Sequence, residues 1–131
     1  AAFIKALSLK VVTHNIGQTD SVANVIFAAG STRYASANAS FLFHGVTMQL
    51  NQNFIESQIF ETYKNIQRLR EAIAADFARY SGLKLEDVNA LMGASGGEIL
   101  TSTQALSKSI IHEIREPVIP EGSKVISIGN F

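Results

Sequence analysis

Hydrophobic residues recur along this chain with two different spacings, and the spacing changes at Ser21. Residues 10–14, Lys-Val-Val-Thr-His, are rich in β-branched side chains and predict a buried strand. Residues 22–29 place apolar side chains at the three- and four-residue steps of a helix, which Gly30 ends. A sharp turn through residues 17–21 must join the strand to the helix, so Ser21 lies where the helix begins.

The polar residues 31–40 predict a connection, and the apolar residues 41–44 predict a second strand that ends on His44. The longest helical pattern covers residues 53–81, with Gly82 placed to end it. Such a helix would be roughly 40 Å long, more than a compact domain of this size needs. We therefore expect part of it to project and to pack against another subunit.

The remaining segments carry weaker patterns. They predict the end of an amphipathic helix at 1–7, a short strand within 45–53, a helix at 83–92, a loop at 93–97, a helix from Thr101 or Ser102 to Lys108, a strand at 109–114 and a last strand at 124–128.

Composition narrows the functional classes. The 131 residues suit a single domain over residues 1–131, and the hydrophobic content of 47% is enough for a core. Eleven basic and eleven acidic residues cancel without a basic stripe, which argues against nucleic acid as a partner. No apolar stretch is long enough to span a membrane, so we expect a soluble cytoplasmic protein. With no cysteine and three scattered histidines, we expect no metal site. The serine chemistry considered next requires no cofactor.

Ser21 and His44 form the candidate chemistry. The amides at the start of a helix lack intrahelical partners, so the Val22 amide could stabilise negative charge that develops beside Ser21. The strand before Ser21 and the strand ending at His44 can lie side by side, and histidine is the usual base for a serine nucleophile. The alternative is that Ser21 only caps the helix.

At these residues the chain resembles the proteolytic subunit of the Clp protease, ClpP, and its relatives. The resemblance rests on Gly17-x-x-x-Ser21, the Ala28-Ala29-Gly30 helix end, Arg33-Tyr34, Asn38-x-Ser40 and the strand ending in His44. It continues at Ser81-Gly82 and from Leu100 to Ile114. It implies an α/β fold, the ClpP/crotonase-like spiral of β-β-α units with a long projecting helix. It also implies that Ser21 is the nucleophile, His44 the general base and the Val22 amide one half of the oxyanion hole.

The resemblance further implies a homo-oligomer of stacked rings that cleaves peptides or unfolded proteins, and an ATP-dependent unfoldase as a possible partner. ClpP-like proteins carry further β/α units before this point, including a glycine-rich strand that supplies the second oxyanion amide. Nothing in residues 1–131 matches that strand. We therefore expect that this domain lacks its N-terminal β/α units.

The third catalytic residue departs from the family pattern. ClpP-like proteins use an aspartate, and aligning backward from Leu100 places Gly97 at that position. Glu98 is the nearest carboxylate and a candidate for orienting His44. Asp87 is a second candidate, and a bare Ser–His pair a third possibility.

Two other functions fit the same fold. A crotonase-like acyl-CoA enzyme would bind its thioester oxygen with two backbone amides and would not need Ser21 beside His44. A catalytically inactive ClpP-like assembly protein would explain why Gly97 stands at the aspartate position. The serine peptidase is the function that the sequence favours.

Overall fold

The computed structural model describes residues 1–49, 53–93 and 97–127. The helices there are α1 (Ala2–Ala6), α2 (Val22–Ala28), α3 (Glu56–Ser81), α4 (Leu85–Gly93) and α5 (Ser102–Ser107). The strands are β1 (Val12–Asn15), β2 (Gln18–Asp20), β3 (Thr32–Ala35), β4 (Ser40–Phe43), β5 (Glu98–Thr101) and β6 (Glu113–Ile114). Parts of the strands predicted within 45–53 and 124–128 and of the loop predicted at 93–97 lie outside the described residues.

The strands form two three-stranded sheets, and β1 to β4 alternate between them along the chain. The first sheet has the order β1-β3-β6, and both of its strand pairs are parallel. The second sheet has the order β2-β4-β5, in which β2 is parallel to β4 and β5 is antiparallel to β4. Consecutive strands therefore enter different sheets before each of the helices α2 and α3. This gives the order β1-β2-α2 and then β3-β4-α3, which is the predicted succession of β-β-α units.

The core lies where the second sheet meets α2 and the end of α3. Phe27 of α2 and Phe41 of β4 pack edge to face with ring centroids 5.1 Å apart, and Phe43 meets Phe77 of α3 at the same separation. Leu100 of β5 is fully buried opposite Phe41. Burying each of these side chains stabilises the fold by about 1.5–3 kcal/mol. The core thus fixes β4, and with it the position of His44, against two helices.

Helix α3 is as long as its pattern predicts. Its 26 residues span about 39 Å, and its buried side chains all fall within residues 74–81. Ile59, Phe60 and Tyr63 are each more than half exposed. The helix ends at Gly82, whose φ of 82° is the left-handed conformation that glycine adopts readily. Among the described residues, only its last turns are anchored, so the predicted projection is confirmed.

Several local predictions were wrong. Residues 31–40 hold the strand β3, and the turn predicted at 17–21 contains β2. Of the strand predicted at 109–114 only the last two residues pair, and residues 45–49 and 124–127 form no strand. Short strands of three or four residues carry too little pattern to be recognised before their partners are known.

Strand β3 was missed because its buried central residue is an arginine. Arg33 is 6% exposed, and its Nε donates to the Ile110 carbonyl at 2.7 Å. One terminal nitrogen donates to the Ser81 and Ser109 carbonyls at 3.3 Å each. Burial lowers the pKa of this guanidinium. Arg33 therefore ties β3 to the end of α3 and to the segment after α5, which a hydrophobicity pattern cannot reveal.

Candidate active site

Ser21 connects β2 to α2 in an unusual backbone conformation. Its φ is 51° and its ψ is −122°, and Ser21 and Ser109 are the non-glycine residues with positive φ in the described part of the chain. A side chain is disfavoured in this region, at a cost of about 1–3 kcal/mol, and such residues concentrate at functional sites. A serine held on a strained strand-to-helix turn has its hydroxyl exposed beyond the end of the strand, as in the nucleophile elbow of serine hydrolases.

The hydroxyl of Ser21 does not cap α2. Ser21 occupies the N-cap position, but its side chain accepts no bond from the first turn. The Ser21 carbonyl instead accepts the Asn24 amide at 3.1 Å. Thr101 shows the contrast, because it caps α5 through a side-chain bond from the Gln104 amide at 3.3 Å. The capping interpretation of Ser21 therefore does not account for its side chain.

The strand register brings Ser21 and His44 to the same edge of the second sheet. Asp20 of β2 pairs with Leu42 of β4 in parallel, and the Ser21 amide donates to the Leu42 carbonyl at 3.0 Å. Ser21 and His44 thus each lie just past the carboxyl end of one of two adjacent strands. Neighbouring strands in a sheet run about 4.8 Å apart. No hydrogen bond joins the two side chains within residues 1–49. Such bonds are often long before substrate binds.

Asn24 reinforces this junction and was missed in the sequence. Its side chain is 1% exposed, and its Nδ2 donates to the Leu42 carbonyl at 2.7 Å, the same oxygen that accepts the Ser21 amide. The start of α2 is therefore fastened to the end of β4 by two bonds. The only signal in the sequence was an amide residue within an apolar helix.

The His44 ring is oriented by the backbone. Its Nδ1 lies 2.7 Å from the carbonyl oxygen of Gly45. A carbonyl oxygen only accepts hydrogen bonds, so this contact requires the proton to be on Nδ1. In the neutral ring Nε2 is then the unprotonated nitrogen, which is the form that a general base needs.

Gly97 lies opposite His44 and leaves no room for a side chain. The antiparallel register pairs Phe43 with Glu98, so residue 97 continues opposite residue 44. A Cβ at Gly97 would lie 2.7 Å from the Phe43 carbonyl oxygen and 3.1 Å from the His44 Cβ, and its φ is 88°. The position that the resemblance assigns to the orienting aspartate is therefore filled by glycine for a steric reason.

The register turns Glu98 toward the other face of the sheet. Directly opposed residues share a face of the sheet, so Glu98 lies on the same face as the buried Phe43. His44 follows Phe43, and successive side chains alternate between faces, so His44 lies on the opposite face from Glu98. Glu98 makes no hydrogen bond or ion pair with His44 within the described ranges. Asp87 is exposed at the start of α4, where it lines a different pocket from His44. The roles predicted for these two carboxylates stay predictions.

A pocket of about 420 Å³ opens beside His44. It is lined by His44, Gly45, Val46 and Thr47 after β4, Arg70 of α3, Met92 and Gly93 of α4, and Gly97 before β5. Its volume is within the range of small ligand sites. No group of three metal-ligating side chains occurs in the described part of the chain. In the same residues, no helix combines the length and apolarity that crossing a bilayer requires.

The two sheets and their helices form an α/β fold of the ClpP/crotonase-like class. The sequence model of the Clp protease family matches residues 2–118, and the chain belongs to that family. A search of curated proteins gives no significant match. Family membership confirms the resemblance and the fold class, and it supports a ClpP-like peptidase at the level of the family.

Proposed function

We propose that this chain is a serine endopeptidase that hydrolyses peptide bonds through Ser21 and His44 within an oligomeric assembly. The observation that carries the proposal is the strained backbone of Ser21 at a strand–helix junction, with a side chain that does not cap α2. Membership of the Clp protease family supports peptide or unfolded protein as the substrate.

In the proposed reaction, Nε2 of His44 removes the Ser21 hydroxyl proton as the oxygen attacks the substrate carbonyl. The Val22 amide follows the nucleophile and is free of intrahelical bonds, so it can stabilise the oxyanion. His44 then protonates the leaving amine, and water releases the acyl group from Ser21. No cofactor takes part in these steps.

The Gly45 carbonyl takes the orienting position in this scheme. It holds the His44 ring through Nδ1 at 2.7 Å, where a triad would place a carboxylate. A carbonyl dipole fixes the tautomer but stabilises the imidazolium less than a full negative charge does. The Glu98 carboxylate is the alternative group that could orient the His44 ring. Substitution of Glu98 distinguishes it from the Gly45 carbonyl.

A fluorophosphonate probe tests the nucleophile. Intact-mass measurement of the wild-type protein should show one adduct, which Ser21→Ala and His44→Ala each abolish. Ser109→Ala is the matched control, because Ser109 also has a positive φ, of 59°, but lines a different pocket from His44. Retained labelling of Ser21→Ala would contradict the proposal, and turnover of an acyl-CoA thioester that survives this variant would favour the acyl-CoA enzyme class. Absence of any adduct in a folded, assembled sample would support the inactive assembly protein.

The exposed face of α3 supports the oligomer. An apolar pocket of about 520 Å³, which the described residues leave open, is lined by Glu56, Ile59, Phe60 and Tyr63. Exposed apolar patches of this kind mark interaction sites. Sedimentation should give the mass of a multimer for the wild-type protein and a smaller species for Phe60→Glu. A monomeric wild-type protein would refute the assembly, and an ATP-dependent unfoldase stays a prediction from the resemblance.

A further inference from the structure

The pocket beside His44 contains one permanently charged side chain. The guanidinium on its wall belongs to Arg70, and the other described residues of the wall, His44 apart, are uncharged. These residues come from four separate segments of the chain, so the pocket is a product of the fold. An arginine at such a site presents up to five donors to a planar anionic group.

Arg70 has no acidic partner in the described residues, where no carboxylate lies within salt-bridge distance of it. Elsewhere on α3, Arg79 pairs with Asp76 at 2.7 Å and Lys64 with Glu61 at 3.7 Å. The segments outside the described ranges, residues 50–52, 94–96 and 128–131, include neither Asp nor Glu in the sequence. The positive charge of Arg70 is therefore available to a ligand that enters the pocket.

We propose that this pocket is a substrate subsite that selects an acidic peptide side chain through Arg70. The inference rests on the proposed peptidase function, because it places the substrate beside the His44 base. A carboxylate in the pocket would form charge-assisted hydrogen bonds with the guanidinium, which are stronger than bonds between neutral groups. Arg70 is itself exposed, so solvent limits the selectivity to about tenfold.

Matched fluorogenic peptides that differ only in Glu, Gln or Lys at the cleaved residue test the subsite. The wild-type assembly should have a kcat/KM about tenfold higher for the Glu peptide than for the Gln peptide. Arg70→Gln should remove this preference, and Arg70→Glu should shift it toward the Lys peptide. Arg68→Gln is the matched control, since Arg68 lies on the same helix, is also exposed and does not line the pocket. It should keep the preference.

Two further measurements separate this inference from the proposed function. The fluorophosphonate probe carries no acidic group, so it should label the wild-type protein and Arg70→Gln at the same rate. Binding of a peptide that ends in Glu can be measured on Ser21→Ala without turnover, and Arg70→Gln introduced into that variant should weaken it about tenfold. Normal labelling with equal rates for Glu and Gln peptides would overturn the subsite alone. Absence of labelling would overturn the peptidase, while the binding measurement would still decide the subsite.

Discussion

The strain at Ser21 should make the wild-type protein less stable than a variant that relieves it. Ser21→Gly removes the side chain that disfavours a φ of 51° with a ψ of −122°. The Ser21 hydroxyl caps nothing, so its loss leaves no helix amide unpaired. Ser21→Ala removes the same hydroxyl but keeps Cβ, and therefore keeps the strain. Because both variants lack the hydroxyl, the difference in stability between Ser21→Gly and Ser21→Ala measures the backbone strain alone.

The magnitude follows from two opposing effects. Relief of the strained backbone contributes about 1–3 kcal/mol, and the greater freedom of glycine in the unfolded chain costs about 0.5–1 kcal/mol. We expect the free energy of unfolding of Ser21→Gly to exceed that of Ser21→Ala by about 1 kcal/mol. For 131 residues this corresponds to a rise in Tm of about 4 °C.

Urea denaturation at one fixed protein concentration measures the difference, because assembly also adds to apparent stability. Both variants should lose fluorophosphonate labelling. Ser40→Gly, in the regular strand β4, should instead destabilise the protein by about 1 kcal/mol. If Ser21→Gly were no more stable than Ser21→Ala, the backbone at Ser21 would not be strained. The argument that the fold positions Ser21 as a nucleophile would then fail.

Three other substitutions follow from the contacts described above. Arg33→Lys cannot reach all three carbonyls with one ammonium group, so it should lower the free energy of unfolding by about 1–3 kcal/mol; an unchanged urea midpoint would show that the network contributes nothing. His112 accepts the Arg33 amide through Nδ1, and burial followed by the charge of Arg33 lowers its pKa from 6.5. The folded state therefore binds this proton less readily than the unfolded state, so stability should be full above pH 6.5 and fall below it, and His112→Asn should flatten that slope. Glu98→Gln should leave the peptidase rate within about twofold and its pH profile unshifted if the Gly45 carbonyl orients His44, whereas a loss of about 10⁴-fold would identify Glu98 as the orienting carboxylate.

The hydrophobic pattern of the sequence predicted the long helix α3 well and the short strands poorly. The helical stripe over residues 53–81 and the glycine that ends it are local features, so α3 could be placed before its contacts were known. Strands β2, β3 and β5 each have only three or four residues, and β3 is held by the buried Arg33. Their pairing partners lie far away in the chain, which a local pattern does not record.

For the candidate site, the sequence alone determined which side chains could react. A serine at a predicted helix start and a histidine at a strand end are readable because residue type and local period are both properties of the chain itself. Only the tertiary structure decided what surrounds them. The register of β4 and β5 turned Glu98 to the opposite face and set Gly97 against His44, since each step along a strand reverses the face of a side chain. The same packing placed Arg70, 26 residues beyond His44 in sequence, in the pocket beside it.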